Sequence, residues 1–524
     1  MSAPTTTVEQ IPAKSGSVLT ALILTALVCN INLAVANVAL PAIGKNFEAS
    51  QTSLNIIAIG CTLGLAMSVL YFGAIGDRYG RKRMLVIGLS GTIVASLLSA
   101  TAASADLLSV YRLLTGLAAG MAYPTTLALI TALWGPGIKR TKAIALWSGV
   151  SAGAASLGPA IAGVLLTFLW WGSVFLIALP IAIIALFLVL KSVPSGVNES
   201  TEKVDNLGGV LSVVMIGSLV LAVSFFGSLV TRELSFYLLG VAVVFGVLFF
   251  WRQRTAQNPL YDLSVAKRRL FWVPAVGGMI VFGSLMGAAF IGQQFLQNVG
   301  GLTTALTGLT GLPSAVALII AAQLSARLII NRGSRVTMVS GYAFVFIAFL
   351  VMFSWGEKTG IFPVILAYVL IGFGAGLALT PASRSLTGST PIRRVGMASG
   401  TSDLQRDLGG SIMQALLGSI LVAGFSASFA KQIASSSDAS SVTAQISAQL
   451  ESSFSSAAAV AASYPQYSTE IMAAAKEAFL SGSNFAFIIG AAAVLIGAAV
   501  VLFGLPNQKG ENALMEQYEK EDTQ

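Results

Sequence analysis

The sequence predicts an all-α integral membrane protein with fourteen transmembrane helices, and three observations predict it. Of 524 residues, 55% are hydrophobic and only 10% charged, where a soluble domain carries about 25% charge. Mean hydropathy is +0.83. Crossing a hydrocarbon core about 30 Å thick takes about 20 apolar residues, and runs of that kind recur fourteen times. Lys and Arg, finally, concentrate in every second loop between those runs.

In chain order, a tail at 1–17 precedes apolar runs at 18–43, 53–75, 84–104, 107–134, 143–168 and 170–190, which make an N-terminal six-helix bundle over 18–190. Ala34-Val35-Ala36 in the first run has the small-x-small look of a cleavage site. The run is too long for a signal-peptide core, and removing it would invert the topology, so it reads as a retained helix. Runs at 207–230 and 233–251 sit in a segment, 191–270, with basic linkers. The C-terminal bundle, 271–505, holds runs at 271–297, 303–328, 337–355, 361–387, 396–425 and 481–505, with a long loop at 426–480 and a tail at 506–524.

With both termini placed in the cytosol, twenty-three of the thirty basic residues fall in cytosolic loops and tails. This is the bias that orients membrane proteins. The expectation is a multi-pass plasma-membrane protein, of the kind found in a bacterial inner membrane. The net charge of +9 then reflects topology and attraction to anionic membrane lipids rather than a nucleic-acid partner.

Composition also removes whole classes of chemistry. There is no histidine, which excludes His-based acid–base catalysis, a Ser-His-Asp triad and His-ligated metals. Cys29 and Cys61 both lie in apolar runs, so neither a disulfide framework nor a zinc cage is expected. No nucleotide-binding G-x-x-x-x-G-K-[ST] loop is present. An enzyme is not expected, nor a metal or organic cofactor.

The chain repeats weakly at an offset of about 254 residues. Ile138-Lys139-Arg140 matches Ile392-Arg393-Arg394, Gly116 and Gly120 match Gly372 and Gly376, and Gly80 matches Gly333. The repeated unit is six helices, with the seventh and eighth inserted between copies. Repeats of this kind mark transporters that rock one half against the other around a midplane site.

The loop after the second run reads Gly73-Ala74-Ile75-Gly76-Asp77-Arg78-Tyr79-Gly80-Arg81-Lys82-Arg83. Glycines allow a tight turn, and Asp77 can meet a helix N-terminus or a guanidinium. This spelling resembles the signature loop of the major facilitator superfamily. The resemblance implies that Gly73, Asp77, Arg78, Gly80 and Arg81 form a gating loop that latches the two halves on the cytosolic side. In the second copy, Ala326 to Arg335, Ile330 stands where the Asp should be. Gly153, Gly158, Pro159 and Gly163 in the fifth run resemble the antiporter motif of proton-driven exporters. Small residues there let helices touch backbone to backbone, and Pro159 frees a carbonyl and bends the helix. Asn37-Val38-Ala39-Leu40-Pro41, Trp171 to Pro180, Asp205-Asn206-Leu207-Gly208, Asn258-Pro259-Leu260 and Gly400 to Gly410 add to the likeness. Together with fourteen spans they resemble the fourteen-helix drug:proton antiporter family. That implies a major facilitator fold, two six-helix bundles plus two inserted helices, driven by the proton gradient.

Ionisable residues inside a bilayer are functional candidates by default. Arg112 lies about 8 Å into the fourth run at 1.5 Å per residue. Relatives often accompany that arginine with a first-helix aspartate, where this chain has Asn32. Arg112 is then either held by amides and carbonyls or left free for an anionic substrate group. Asp403 and Asp407 are four residues apart on one helix face beside Arg406. Asp407 is about 16 Å deep, near the midplane. Either these three form a static network, joined by Arg384, or one acid is the proton site. Asn32, Asn37, Gln293 and Gln297, with Arg112, are candidates to line a substrate cavity.

In the long loop, Val442, Ile446, Leu450 and Phe454 recur every four residues, as in an amphipathic helix. Pro465 breaks the chain, and Ser468 is placed to cap a second helix through Phe479. The expectation is an outer helical hairpin that could contact an envelope protein. The function expected overall is proton-coupled export of an amphipathic or lipophilic small molecule. Export of a cell-envelope lipid or glycolipid is the alternative.

Overall fold

A computed structural model describes residues 12, 14–49, 51–197, 203–226, 232–435 and 443–523. Among them there is no strand, and thirteen helical stretches are long and apolar enough to cross a membrane. The longest, Leu306–Phe353, holds two crossings in one stretch of 48 residues. Its helix Leu312–Phe353 breaks at Gly333, where φ is 82° and ψ 171°. The described residues thus hold fourteen segments able to cross, as the hydropathy predicts.

The first six are α1 (Ser15–Phe47), α2 (Gln51–Tyr79), α3 (Arg81–Ala100), α4 (Ala105–Leu133), α5 (Ile138–Leu165) and α6 (Leu179–Ser192). A 3-10 turn, Trp171–Leu176, leads into α6. The inserted pair is α7 (Asn206–Phe226) and α8 (Arg232–Thr255). Then follow α9 (Arg269–Asn298), α10 (312–332), α11 (334–353), α12 (Ile361–Gly388), α13 (Val395–Ser435) and α14 (Ser468–Gly504). A final helix, α15 (Gln508–Thr523), occupies most of the C-terminal tail.

The repeat is visible in the packing. A Cβ on Gly116 would lie 2.1 Å from the Cys61 carbonyl oxygen, and one on Gly372 would lie 2.2 Å from that of Ser314. Gly120 and Gly376 are equally tight, against α2 and α10. Thus α4 rides on α2 as α12 rides on α10, backbone against backbone, which only glycine permits. Gly80 (φ 110°) and Gly333 (φ 82°) turn the chain at matching places. Buried clusters around Leu22, Leu127 and Trp147, and around Val35, Ile43 and Phe175, hold α1–α6 together. A larger one around Phe295, Tyr342, Phe349 and Phe487 holds α9–α14.

The basic loops gather at one end of the bundle. Arg140 donates to the carbonyls of Thr131 and Trp134 (both 2.7 Å) at the end of α4. Arg269 does the same for Phe503 and Gly504 at the end of α14. Cations at helix C-termini satisfy orphan carbonyls and oppose the helix dipole. Tail α15 packs against this end: Glu511, itself buried, accepts from Ser334 N (2.8 Å) and Oγ (2.6 Å) and from Arg384 (2.9 Å).

The loop 426–480 differs from the expected hairpin. Its first ten residues continue α13 and its last thirteen begin α14. The amphipathic stretch splits at Ser453, which caps Phe454–Ser463 through Ser456 N; Thr443 caps Ala444–Ser452. Val442 lies outside the described residues. Ser468 is the first residue of α14 rather than a cap; the capping position is Tyr467, with no side-chain bond. Leu450, Val460 and Phe479 are buried in the C-terminal core, so the loop grows out of the bundle it covers.

Candidate functional site

At the basic end, Asp77 closes α2 and Arg81 opens α3, one helical turn apart across Gly80. Arg81 donates to Asp77 Oδ1 from Nε (3.0 Å) and Nη2 (2.8 Å). Asp77 Oδ2 accepts from the Gly396 amide (2.9 Å), in the first turn of α13. Arg81 Nη2 also donates to the Ile392 carbonyl (3.0 Å). Both side chains are buried. A carboxylate at a helix N-terminus meets unsatisfied amides and the positive end of the dipole. Asp77 therefore bonds the N-terminal half to the C-terminal half. A Cβ on Gly73 would come within 2.9 Å of the Gly396 carbonyl, so glycine lets the two helices meet here. Arg78 is half-buried, with its guanidinium over the Tyr79 ring.

Deeper along the same interface, Arg406 of α13 reaches across to the N-terminal half. It donates to Tyr123 Oη in α4 (2.7 Å) and Ser148 Oγ in α5 (3.2 Å), and stacks over Trp147 at 5.0 Å. Ser383 of α12 accepts a third bond (3.4 Å). The static network of Arg406 with Asp403, Asp407 and Arg384, one of the two alternatives for these residues, does not form. Asp403 is fully buried, yet neither carboxylate oxygen has a hydrogen-bond partner, and Asp407 Oδ2 has none either. Arg384 turns away to Glu511 and to Thr141 of α5 (3.2 Å). The physical reason is direction: the Arg406 guanidinium points across the half-to-half interface to neutral hydroxyls and an indole face rather than along its own helix. Sequence reading missed Tyr123 as an arginine partner, and Trp147, Ser148 and Ser383 altogether. None stands out among ordinary span residues.

Arg112 is fully buried in α4 and donates to the backbone carbonyl of Asn32 (2.7 Å), stacked on Phe175 at 5.3 Å. Its Nε and Nη1 have no hydrogen-bond partner. The Asn32 amide bonds instead to Val28 O (3.0 Å) and takes a long bond from Ser96 (3.4 Å). Arg112 and Asn32 are thus sealed inside the N-terminal half, while Asn37, Gln293 and Gln297 are exposed. Along α1, exposure rises from Asn30 through Ala34 to Asn37. Along α9 it rises from Phe282 through Met286 to Phe290, Gln293 and Gln297. Both rows grow more exposed towards the end opposite the basic loops.

The fifth-helix glycines serve helix contact. Gly153 faces Ala315 and Ile319 of α10, and Gly158 faces Ile31 and Val35 of α1. Pro159 sits inside α5, which stays continuous through it, and Gly163 is buried one turn on. Among the described residues no group of three potential Cys, Asp or Glu metal ligands occurs.

Comparison with known proteins agrees with this architecture. The family model for the Major Facilitator Superfamily matches residues 22–414. The multidrug resistance protein Stp of Mycobacterium tuberculosis is 32% identical over 394 residues, 75% of this chain and 73% of its own. The multidrug efflux pump LfrA of Mycolicibacterium smegmatis is 32% identical over 420 residues, 80% of this chain and 83% of its own. A crystal structure of the human organic anion transporter MFSD10 (TETRAN) shares the fold, with a TM-score of 0.59 at 16% identity, over 93% of this chain and all of that one. The chain therefore belongs to the major facilitator superfamily, and it is a multi-pass membrane transport protein.

Proposed function

We propose that this transporter exports amphipathic, drug-like compounds in exchange for protons, as a member of the fourteen-helix drug:proton antiporters. Its basic end and both termini face the cytosol, following the charge bias of the loops. Export is supported by the names of Stp and LfrA and by the antiporter-like glycines of α5. Proton coupling rests on one observation: a buried carboxyl group, Asp403, with neither oxygen bonded, beside an arginine whose partners are neutral.

An ionised carboxylate without hydrogen bonds is strongly disfavoured in a low-dielectric interior, and a bound proton removes that charge. With the basic end shut, Arg406 is occupied by Tyr123 and Ser148 of the opposite half. Rocking that opens the basic end pulls α13 from α4 and α5, breaks those bonds and frees the guanidinium for Asp403 or Asp407. Its approach stabilises the ionised form, and the proton leaves to the cytosol. Asp407, about 18 Å along α13 at 1.5 Å per residue and half-buried, is the acid nearer the opposite end, and hands the proton inward. Asn37, Gln293, Gln297 and Phe290 present polar and aromatic surface to an amphipathic substrate on that side.

Lipid or glycolipid export is the second reading; two nitrogens of Arg112 are unbonded, and that reading requires rocking to uncover this buried side chain to an anionic headgroup. Proteoliposomes carrying a proton gradient, tested with a cationic dye and with a labelled anionic lipid, separate the two. Gradient-dependent dye transport, abolished by Asp407→Asn or Asp403→Asn while downhill exchange survives, is expected. Dye transport indifferent to the gradient would remove proton coupling, and lipid transport without dye transport would favour the second reading.

A further inference from the structure

Two of the motifs, Asp205-Asn206-Leu207-Gly208 and Asn258-Pro259-Leu260, have no part in the mechanism above. They flank the inserted helices α7 and α8, and the fold brings both to the Asp77 contact. The Asp205 carboxylate is almost wholly buried, with its side chain 2% exposed. It accepts from Gly208 N in the first turn of α7 (3.1 Å), from Arg252 Nε (3.1 Å) in the last turn of α8, and more weakly from Gln253 Nε2 (3.5 Å). One carboxylate thus ties the start of α7 to the end of α8. Gln253 Oε1 then accepts from Tyr261 N (2.8 Å), which fixes the linker that carries Asn258-Pro259-Leu260.

That linker holds the start of α13. Arg394 donates to the Pro259 carbonyl (2.6 Å), with Asp262 Oδ2 3.5 Å from its Nε. Burial works to raise the Asp262 carboxyl, but the hydrogen bonds from Ser264 and the Arg394 charge outweigh it and hold the group below the usual carboxylate range. Arg394 precedes Val395, the first residue of α13, and Gly396 follows with the amide that bonds Asp77. Asp77, Asp205, Pro259 and Arg394 line one small crevice. The inserted pair also touches both halves directly. Tyr71 of α2 donates to Asn206 (2.9 Å), and Leu404 and Leu408 of α13 pack against the cluster of Ile216, Val220 and Phe249.

We propose that the inserted helices are a strap that positions the N-terminal turn of α13 against Asp77, with Asp205, Gln253 and Arg394 as positioning residues for closure of the basic end. This rests on the reading of Asp77 as a gate. Such a strap favours the state with the basic end shut, because each of its bonds is made with Gly396 in place.

The test uses the full chain in proteoliposomes, with a cysteine one turn inside the contact, Ser399→Cys, and another in the opposite row, Gln297→Cys, labelled by an impermeant maleimide. Cys29 and Cys61 are buried, so the background is low. Arg394→Gln and Asp205→Asn are each expected to raise labelling at 399 from the basic side about tenfold, the effect of losing one charge-assisted bond, and to lower it at 297. Arg394→Lys, which keeps a donor for Pro259, restores most of the original ratio. Should Asp205→Asn fail to accumulate, Gln253→Met carries the test, since it spares the Asp205–Arg252 pair. If Asp77→Asn produces this reciprocal shift and the strap variants do not, the strap is overturned and the gate stands. Labelling that rises at both positions means general loosening and also overturns it. No shift even with Asp77→Asn overturns gate and strap together.

Discussion

Gly80 takes a φ of 110° between Asp77 and Arg81, a backbone conformation that disfavours any side chain. Gly80→Ala is expected to strain the turn by about 1–3 kcal/mol and to loosen the Asp77–Gly396 contact, read as faster labelling at 399 from the basic side. Arg406 makes a second residue-scale test. Lysine keeps the charge but lacks the planar fork that reaches Tyr123 and Ser148 together while stacking on Trp147. Arg406→Lys should therefore cut transport at least about tenfold, the effect of one such bond, at unchanged expression, and Tyr123→Phe should follow it in part. Unimpaired transport in both would mean that the link between halves at 406 is incidental. These residues were unequally legible. Asp77 and Arg81 are neighbours in sequence, four apart across a glycine, so their pairing follows from spelling alone. The partners of Arg406 come from α4, α5 and α12, and nothing in a Tyr, Trp or Ser of an apolar run marks it as one of them.

The elements most readily read were those whose length the bilayer dictates, because about 20 apolar residues leave few alternatives. Helix ends outside the hydrocarbon obey other constraints. The stretch after residue 425 is rich in Ala and Ser, which neither hydropathy nor a cap separates from the spans, so α13 and α14 simply continue into it. The tail was harder still: a polar helix of sixteen residues has no apolar run to betray it. Its docking depends on Glu511 reaching Ser334 and Arg384, and on Arg268 bonding Asp522 (2.6 Å) and stacking on Tyr518 at 4.5 Å. Alpha15 so covers a cavity of about 400 Å³ between the halves, lined by Arg140, Arg384 and Arg393. Glu511→Gln should weaken this docking by about 1–3 kcal/mol, seen as faster tryptic cleavage at Lys509 with the bundle intact. Cleavage at the original rate would assign the docking to Arg268 instead.

Across the whole molecule, closure is asymmetric. At the basic end Asp77, Arg81 and Arg384 bond one half to the other, while α1 and α9, the equivalent first helices of each repeat, carry rows whose exposure rises in the other direction. A molecule that rocks about its middle must exchange these conditions, since opening the basic end separates α13 from α4 and α5 and gives up the Arg406 bonds to Tyr123 and Ser148. The resting chain should accordingly label at Gln297→Cys or Asn37→Cys from the side opposite the basic loops, and hardly at Ser399→Cys from the basic side. Adding Asp77→Asn removes the charge that meets the Gly396 amide and leaves only a neutral acceptor, weaker by about half. The labelling ratio should then move towards position 399, with transport lowered and thermal stability little changed, because the substitution alters a contact made in one state rather than the packing of either half. A ratio that stays fixed, with transport lost, would show that Asp77 acts on substrate or proton rather than on the balance between the two open states.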